Sequence, residues 1–217
     1  MKLESTDYLC SRIIGVKRQH PVRVAIDGPD AAGKTTLAHE IAASLLTSNR
    51  PVILASIDGF HNPARIRHER GATSPEGYYY DSFNYPALAE SLLLPLGPDG
   101  SRRYSSSVFD FRIDAESQTS PKLAEPNAIL LFDGVFLLRE ELRKYWDFTI
   151  FVHATFQTIL LRAERRDKHL FGSIEEVRKR YEQRYIPGQN LYFAECLPKE
   201  CAQVVIDNND PRNPLVL

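Results

Sequence analysis

The stretch that decides the fold is Gly28-Pro29-Asp30-Ala31-Ala32-Gly33-Lys34-Thr35, and it directly follows the apolar run Val22–Ile26 and Asp27. It has the form G-x-x-x-x-G-K-[ST], in which backbone N–H groups wrap around phosphate oxygens. Glycine permits the tight turns that this wrapping needs. The residues after Lys34 have the apolar spacing of an amphipathic helix, whose N-terminus favours anions. The stretch predicts a binding site for the phosphates of ATP or GTP at residues 28–36.

Three side chains of residues 28–36 have predicted roles. Lys34 is expected to reach the β- and γ-phosphates, Thr35 to place its hydroxyl on Mg²⁺, and Thr36 to complete the nucleotide site. A guanine-reading N-K-x-D motif is absent from the sequence, so an ordinary GTPase is excluded. The preference between ATP and GTP stays open.

Five short apolar runs, most of them rich in valine and isoleucine, predict strands that are buried on both faces of a parallel sheet. They are Val22–Ile26, Val52–Ile57, Ala128–Phe132, Phe148–Val152 and Ala202–Ile206. Helical patterns lie between them at Lys34–Thr47, Pro86–Leu94, Phe156–Lys168 and Ser173–Tyr185, and residues 1–20 are expected to add a helix. We therefore predict an α/β three-layer fold of the P-loop NTPase type, with a mostly parallel central sheet of about five strands and helices on both faces.

Composition excludes several classes of protein. The 217 residues carry 27 Lys and Arg against 28 Asp and Glu, which gives no basis for general nucleic-acid binding. An apolar run of about 18–20 residues, as a membrane span needs, does not occur. The acidic first residues do not resemble a secretory signal. The odd cysteine count, without C-x-x-C spacing, indicates reduced thiols and a cytoplasmic location.

Four aspartates end or follow the predicted strands: Asp27, Asp58, Asp133 and Asp207. In an open parallel sheet, ligands bind beyond the carboxyl ends of the strands, so these acids are expected along one edge. An aspartate at a strand end can also simply begin a turn. Both interpretations stay open for Asp27 and Asp207, whereas we expect Asp58 and Asp133 to be functional.

Two of these acids lie in segments that resemble the uridine kinase-like branch of P-loop kinases, which includes phosphoribulokinase and bacterial pantothenate kinase. The segments are Ser56–His61 and Leu131–Phe136, and the resemblance extends over about residues 20–210. It implies that Asp58 is the general base beside the acceptor hydroxyl. It also implies that Asp133, where uridine kinases usually have glutamate, holds Mg²⁺ together with Thr35.

A third segment, Arg162–Asp167, resembles the arginine-bearing helix that opens the family's lid. Arg162 and Arg166 are four residues apart and share one helix face, so the resemblance implies that both close over the γ-phosphate. The family's further R-x-R-D element corresponds to His169–Ser173, which has no arginine. The lid of this chain therefore differs in charge.

Acceptor binding is implied by two more segments. Tyr78–Leu88 resembles the aromatic–Asp segment in which the acid binds ribose hydroxyls, a role that would fall to Asp81. Val108–Phe111 resembles the V-Y-D-F segment that covers the nucleobase, which implies that Phe109 and Phe111, together with His61, contact the substrate. Phe109 replaces the family's tyrosine, and Asp114 stands where a base-reading histidine is expected.

The resemblance implies an ATP- and Mg²⁺-dependent kinase for a hydroxyl of a small metabolite, first of all a uridine- or cytidine-like nucleoside. Alternative acceptors are pantothenate, nicotinamide riboside, a sugar or a sugar phosphate, and a nucleotide-binding regulatory module without turnover is a further alternative. We expect a single domain over residues 1–217, with acceptor-side insertions at about 59–86 and 97–121 and a lid at about 162–190. Nucleic-acid and membrane partners are not expected, and assembly into a homo-oligomer stays open.

Overall fold

The computed structural model describes residues 2–217. Its helices are α1 (Lys2–Gly15), α2 (Lys34–Leu45), α3 (Ala64–Arg67), α4 (Pro75–Asp81), α5 (Tyr85–Leu88), α6 (Glu140–Arg143), α7 (Phe156–Phe171), α8 (Ile174–Arg180), α9 (Ile186–Cys196) and α10 (Pro198–Cys201). The strands are β1 (Val22–Asp27), β2 (Val52–Ser56), β3 (Arg103–Tyr104), β4 (Phe109–Asp110), β5 (Ala115–Glu116), β6 (Lys122–Leu123), β7 (Ile129–Gly134), β8 (Phe148–His153), β9 (Val204–Asp207) and β10 (Leu215–Val216).

Six of these strands form the central sheet, in the order β10-β9-β8-β1-β7-β2. The pairs among β2, β7, β1, β8 and β9 are all parallel, and only β10 runs antiparallel to its neighbour β9. The predicted α/β fold with a mostly parallel sheet is confirmed, with six strands where about five were expected. The sixth strand was missed because Leu215 and Val216 are exposed and too few to form a pattern.

Helices cover both faces of the sheet, and neighbouring residues of a strand belong to opposite cores. Val24 and Ile26 of β1 pack with α1, α2 and α7, whereas Ala25 packs with α4 and α9. Every residue of β1 and β7 is buried. Burial on both faces explains why these strands appear in the sequence as continuous apolar runs without alternation.

The predicted amino-terminal helix is shorter than residues 1–20, because α1 ends at Gly15, and Met1 lies outside the described residues. Leu9 and Ile13 are fully buried against the sheet, and Ile14 is half-buried against the same core. Two other predicted helices change their hydrogen bonding along their length. A single turn of π-helix follows α5 at Ala89–Leu93, and another follows α8 at Tyr181–Tyr185.

Membrane-spanning helices and metal-binding clusters of acidic, histidine or cysteine side chains are both absent from residues 2–217. None of the helices there is both long enough and apolar enough to cross a membrane. The same residues contain no group of three or more His, Cys, Asp or Glu side chains that could hold a metal ion by themselves.

Candidate active site

The loop between β1 and α2 is shaped by two glycines. Gly28 has φ 147°, and a Cβ there would lie 2.3 Å from the carbonyl oxygen of Val152 on β8. Gly33 has φ 100°, and a Cβ there would lie 2.5 Å from Nδ2 of Asn208. A residue with a side chain fits neither position. These two glycines let the loop curl against the carboxyl ends of β8 and β9 and deliver the chain to α2 at Lys34.

Lys34 carries a buried ammonium group inside this loop. Its side chain is 8% exposed, and Nζ donates a hydrogen bond to the carbonyl oxygen of Pro29 at 2.7 Å. Burial lowers the pKa of Lys34, although the carboxylates of Asp30, Asp133 and Asp27 act in the opposite direction. A desolvated cation at a helix N-terminus favours an anionic ligand, so the loop fits a triphosphate group.

Two cavities meet at this loop. The larger has a volume of about 520 Å³ and the smaller about 270 Å³. Both are lined by Ala31, Lys34, Thr35 and Arg166, so these residues form the wall between them. A phosphate group bound by Lys34 and Thr35 could therefore be reached from either cavity.

Arg162 and the loop after β9 shape the larger cavity. The Arg162 guanidinium donates to the carbonyl oxygens of Ala31 and Ala32 at 3.4 and 3.2 Å. It also donates to those of Asn208 and Asn209 at 2.6 and 3.2 Å. Arg162 thus ties the phosphate loop to the opposite side of the cavity, where Asn208 is part of the lining.

The smaller cavity contains Asp58, His61 and Phe111. A 3₁₀ turn over Ile57–Phe60 follows β2 and leaves the side chain of Asp58 exposed in the cavity wall. His61 Nδ1 is hydrogen-bonded to the carbonyl oxygen of Asp58 at 3.0 Å, and its ring centroid lies 4.6 Å from that of Phe111. Burial lowers the pKa of His61, so its ring is neutral at neutral pH.

Asp133 extends from β7 into the same cavity and contacts the phosphate loop. The Thr35 hydroxyl donates a hydrogen bond to Asp133 Oδ2 at 2.6 Å. Burial raises the pKa of Asp133, and the charge of Asp58 adds to this effect, while Thr35 and Lys34 oppose it. A carboxylate and a hydroxyl side by side are hard oxygen ligands, so the pair fits Mg²⁺.

The structure brings most of the predicted site residues together, but not Asp81 or Phe109. The carboxylate of Asp81 accepts a hydrogen bond from Arg70 Nε at 2.7 Å, and neither cavity includes Asp81 in its lining. Phe109 is buried in the hairpin of β4 and β5, also outside both linings. Asp114 accepts hydrogen bonds from Ala64 N and Arg67, outside the cavities as well.

The two predicted arginines occupy different surroundings. Arg166 lines both cavities and pairs with Asp167, with Nε and Nη2 at 2.6 and 2.9 Å from its two oxygens. Arg162 lines only the larger cavity. Leu170 and Phe171 at the end of α7 line the smaller cavity, so this part of the predicted lid presents apolar side chains to it.

Asp207 and Asp27, the two strand-end acids whose roles the sequence left open, are both hydrogen-bonded to other protein groups. Asp207 accepts hydrogen bonds from the backbone N and side-chain Nδ2 of Asn209, so it begins a turn. Asp27 is fully buried and accepts hydrogen bonds from Tyr192 Oη at 2.5 Å and Leu137 N at 3.2 Å. Burial raises its pKa to about 6.

Sequence reasoning missed a group around Asp30. Tyr78 Oη and Gln189 Nε2 donate to Asp30 Oδ2 at 2.5 and 2.8 Å, and Asp30 and Tyr78 line the smaller cavity. From the sequence, Asp30 is expected only in nucleotide binding, as part of residues 28–36. An acidic side chain inside an anion-binding loop is the signal that could have identified it.

Comparison with known proteins agrees with this geometry. The sequence model of the phosphoribulokinase/uridine kinase family matches residues 23–208. The chain belongs to this family. It is therefore a small-molecule kinase of the P-loop class, and the predicted resemblance is confirmed.

Three similar proteins have 22–28% sequence identity to this chain. Uridine-cytidine kinase B of Dictyostelium discoideum is 28% identical over 87% of this chain and 75% of its own length. A uridine kinase of Lactobacillus johnsonii is 26% identical over 82% of this chain and 83% of its own length. The structure of a possible uridine kinase from Bacillus stearothermophilus superposes with a TM-score of 0.74 at 22% identity. It covers 94% of this chain and 99% of its own, which shows the shared fold.

Proposed function

We propose that the chain transfers the γ-phosphoryl group of ATP to a hydroxyl of a nucleoside of the uridine or cytidine type. The observation that carries this proposal is the meeting of the two cavities at Lys34, Thr35 and Arg166. Asp58 and Asp133 both line the smaller cavity beside this wall. The names of the relatives support the choice of a nucleoside as acceptor.

ATP would occupy the larger cavity, with its phosphates on the loop residues Gly28, Pro29, Asp30, Ala31, Ala32, Gly33, Lys34, Thr35 and Thr36. The backbone N–H groups and the helix N-terminus orient the phosphates, and Lys34 supplies a compact positive charge. Thr35 and Asp133 would hold Mg²⁺, which neutralises charge on the transferring group. Arg166 lies in the wall where that group would pass between the cavities.

Asp58 is proposed to hold the acceptor hydroxyl and to receive its proton. Its side chain is exposed within the cavity, so it can accept a hydrogen bond from an incoming alcohol. Because phosphoryl transfer passes through a loose transition state, positioning by Asp58 contributes more than strong basicity. Arg162 is proposed to contribute indirectly. It donates hydrogen bonds to two carbonyl oxygens of the phosphate loop and so keeps the loop in place around ATP.

The aromatic wall of the smaller cavity supports a planar ring on the acceptor. The rings of Phe83 and Phe111 each lie 4.6 Å from that of His61, and all three line the cavity. Aromatic faces stack on nucleobases without strict sequence preference. Asp81 is not part of this proposal, because Arg70 holds its carboxylate outside the cavity.

The test is a coupled assay of ADP release with purified protein, Mg·ATP and a panel of nucleosides, pantothenate, nicotinamide riboside, sugars and sugar phosphates. We expect uridine or cytidine to stimulate ADP release. Asp58→Asn should lower this rate at least about 100-fold and leave ATP affinity nearly unchanged, since a general base typically contributes ~10²–10⁴-fold.

Asp99→Asn is the matched control, because Asp99 is exposed, lies outside both cavities and has φ 57°, which asparagine tolerates. Normal turnover by Asp58→Asn would remove Asp58 from the proposed chemistry. Tight ATP binding without stimulation by any acceptor would favour the regulatory module. The location stays a prediction, namely a cytoplasmic one, based on the odd cysteine count.

A further inference from the structure

Asp30 places a carboxylate of the phosphate loop in the wall of the smaller cavity. This is the proposed acceptor cavity, and the larger one is the proposed nucleotide cavity. Its two side-chain partners, Tyr78 Oη and Gln189 Nε2, donate to the same oxygen, Oδ2. Tyr78 belongs to α4 and is 7% exposed, and Gln189 belongs to α9 and is 1% exposed. Two buried donors from two helices therefore fix the orientation of Asp30 and leave Oδ1 to accept a hydrogen bond from a ligand.

The charges around the acceptor cavity are unevenly distributed. Among the described residues that line it, the acids are Asp30, Asp58, Asp133 and Asp167, and the cations are Lys34 and Arg166. Both cations also line the nucleotide cavity, so they lie in the shared wall. Asp167 is paired with Arg166, and Asp133 contacts Thr35 of the loop. Asp30 and Asp58 are the two remaining carboxylates of the lining, and Asp30 lies near Lys34, whose positive charge it supports.

Three arginines near the cavity have partners among protein groups, although Arg67 Nε is buried without a hydrogen-bond partner. Arg67 pairs with Asp114 at 3.1 Å and Arg70 pairs with Asp81 at 2.7 Å. Arg184 is buried and donates to the backbone carbonyl oxygens of residues 67, 71 and 72. None of these three arginines lines the cavity. An anionic group on an acceptor that does not reach Lys34 or Arg166 would therefore lose water without gaining a cationic partner from the lining, which is costly.

From these observations we infer that the acceptor is a polyol that carries no negative charge and that Asp30 binds a second hydroxyl of it. One hydroxyl faces Asp58 and is phosphorylated, while another donates a hydrogen bond to Asp30. On a nucleoside, the 5′-hydroxyl would face Asp58 and the 2′,3′-diol would face Asp30. The inference deepens the proposed function and depends on it, and it removes pantothenate and sugar phosphates from the alternative acceptors.

The first experiment compares uridine with 2′-deoxyuridine and 3′-deoxyuridine in wild type and Asp30→Asn. A hydrogen bond to a charged group corresponds to roughly 10-fold or more in affinity. The wild type should have at least about 10-fold lower kcat/KM for one of the deoxy analogues. Asp30→Asn keeps an oxygen for Tyr78 and Gln189 but loses the charge, so the ratio should fall to within about 3-fold of unity.

A merely structural role of Asp30 would lower activity on all three nucleosides equally and leave the ratio as in wild type. That result would overturn the inference while leaving the proposed function intact. If wild type turns over none of them, the same ratios are measured as binding constants with a non-hydrolysable ATP analogue and Mg²⁺. Equal binding of uridine and both analogues would overturn the inference in that case too. Thermal stabilisation by Mg·ATP confirms that Asp30→Asn still forms the nucleotide site.

The second experiment isolates the charge of the acceptor. 5-Carbamoylmethyluridine and 5-carboxymethyluridine have nearly the same shape and differ by one negative charge, and pantothenol and pantothenate provide a second such pair. We expect the uncharged member to have at least about 10-fold higher kcat/KM, or tighter binding where turnover is absent. Equal values, or preference for the anion, would contradict the inference.

Discussion

Asp27 is a buried carboxylate whose hydrogen-bond partners could not be predicted from its position in the sequence. It ends β1, directly before the phosphate loop, and it is fully buried. Its partners Tyr192 and Leu137 come from α9 and from the loop after β7. These partners are more than 100 residues away, so spacing could not predict them. The positions of Lys34 and Thr35 on the phosphate loop could be predicted from the motif, because they depend on local sequence, and their roles stay predictions.

The first prediction concerns the pH dependence of stability. Burial raises the pKa of Asp27 from 3.8 to about 6. Between about pH 4 and 6 the folded chain therefore holds a proton that the unfolded chain has lost, so the free energy of unfolding falls as pH rises through this window. Tyr192→Phe removes a hydrogen bond to the ionised carboxylate, and its cost should be about 1–2 kcal/mol larger at pH 8 than at pH 4.5.

Urea unfolding of both proteins at the two pH values measures this difference. Tyr79→Phe is the matched control, because the Tyr79 hydroxyl is hydrogen-bonded to the Cys196 thiol, whose pKa burial raises further. Its cost should be the same at both pH values. An equal cost of Tyr192→Phe at pH 4.5 and pH 8 would show that the phenol does not support the ionised form of Asp27.

At the scale of elements, the close packing of α9 on α4 determines the position of Tyr78. A Cβ on Gly188 would lie 2.8 Å from Tyr78 Cδ1 and 2.9 Å from the carbonyl oxygen of Pro75. The contact places Tyr78 where its hydroxyl reaches Asp30. Glycine at position 188 is therefore needed for the approach of the two helices rather than for an unusual backbone angle.

The second prediction is that Gly188→Ala destabilises the fold and weakens acceptor binding. Overpacking by one methyl group should lower the free energy of unfolding by about 1–3 kcal/mol and shift Tyr78 away from Asp30. Gly15→Ala is the matched control, since nothing lies within 4 Å of a Cβ there, and it should leave stability unchanged or raise it by up to about 1 kcal/mol. Equal stability of the two variants, measured by urea unfolding, would disprove the close contact.

Elements with a strong local pattern could be predicted from the sequence, and the others could not. Each of the five expected strands is present, with its ends within two residues of the expected positions. The expected helix Pro86–Leu94 is instead α5, which begins at Tyr85, followed by a π-helical turn at Ala89–Leu93, because hydrogen-bond register depends on packing. The pairing of Asp81 with Arg70, rather than its entry into the cavity, likewise depends on how α4 packs.

At the scale of the whole molecule, the third prediction is that Mg·ATP stabilises the folded chain. At a concentration of one hundred times Kd, a ligand that binds only the folded state adds about 2.7 kcal/mol. For a chain of this size the melting temperature should rise by roughly 5–10 °C. Differential scanning calorimetry in the presence and absence of EDTA measures the contribution of Mg²⁺.

Asp133→Asn should lose most of the Mg²⁺-dependent part of this shift, because a neutral amide is a weaker ligand for a hard cation. Asp99→Asn should keep all of it. A shift that EDTA does not change in the wild type would remove Thr35 and Asp133 from the proposed metal site.

The contacts of Arg162 have a consequence for the thermodynamics of nucleotide binding. One guanidinium group holds the carbonyl oxygens of Ala31 and Ala32 on one side and those of Asn208 and Asn209 on the other. The phosphate loop and the loop after β9, on opposite sides of the larger cavity, are thus joined in the absence of nucleotide. Preorganisation reduces the conformational entropy lost on association. Titration calorimetry should therefore find only a small unfavourable conformational contribution to the entropy of nucleotide binding.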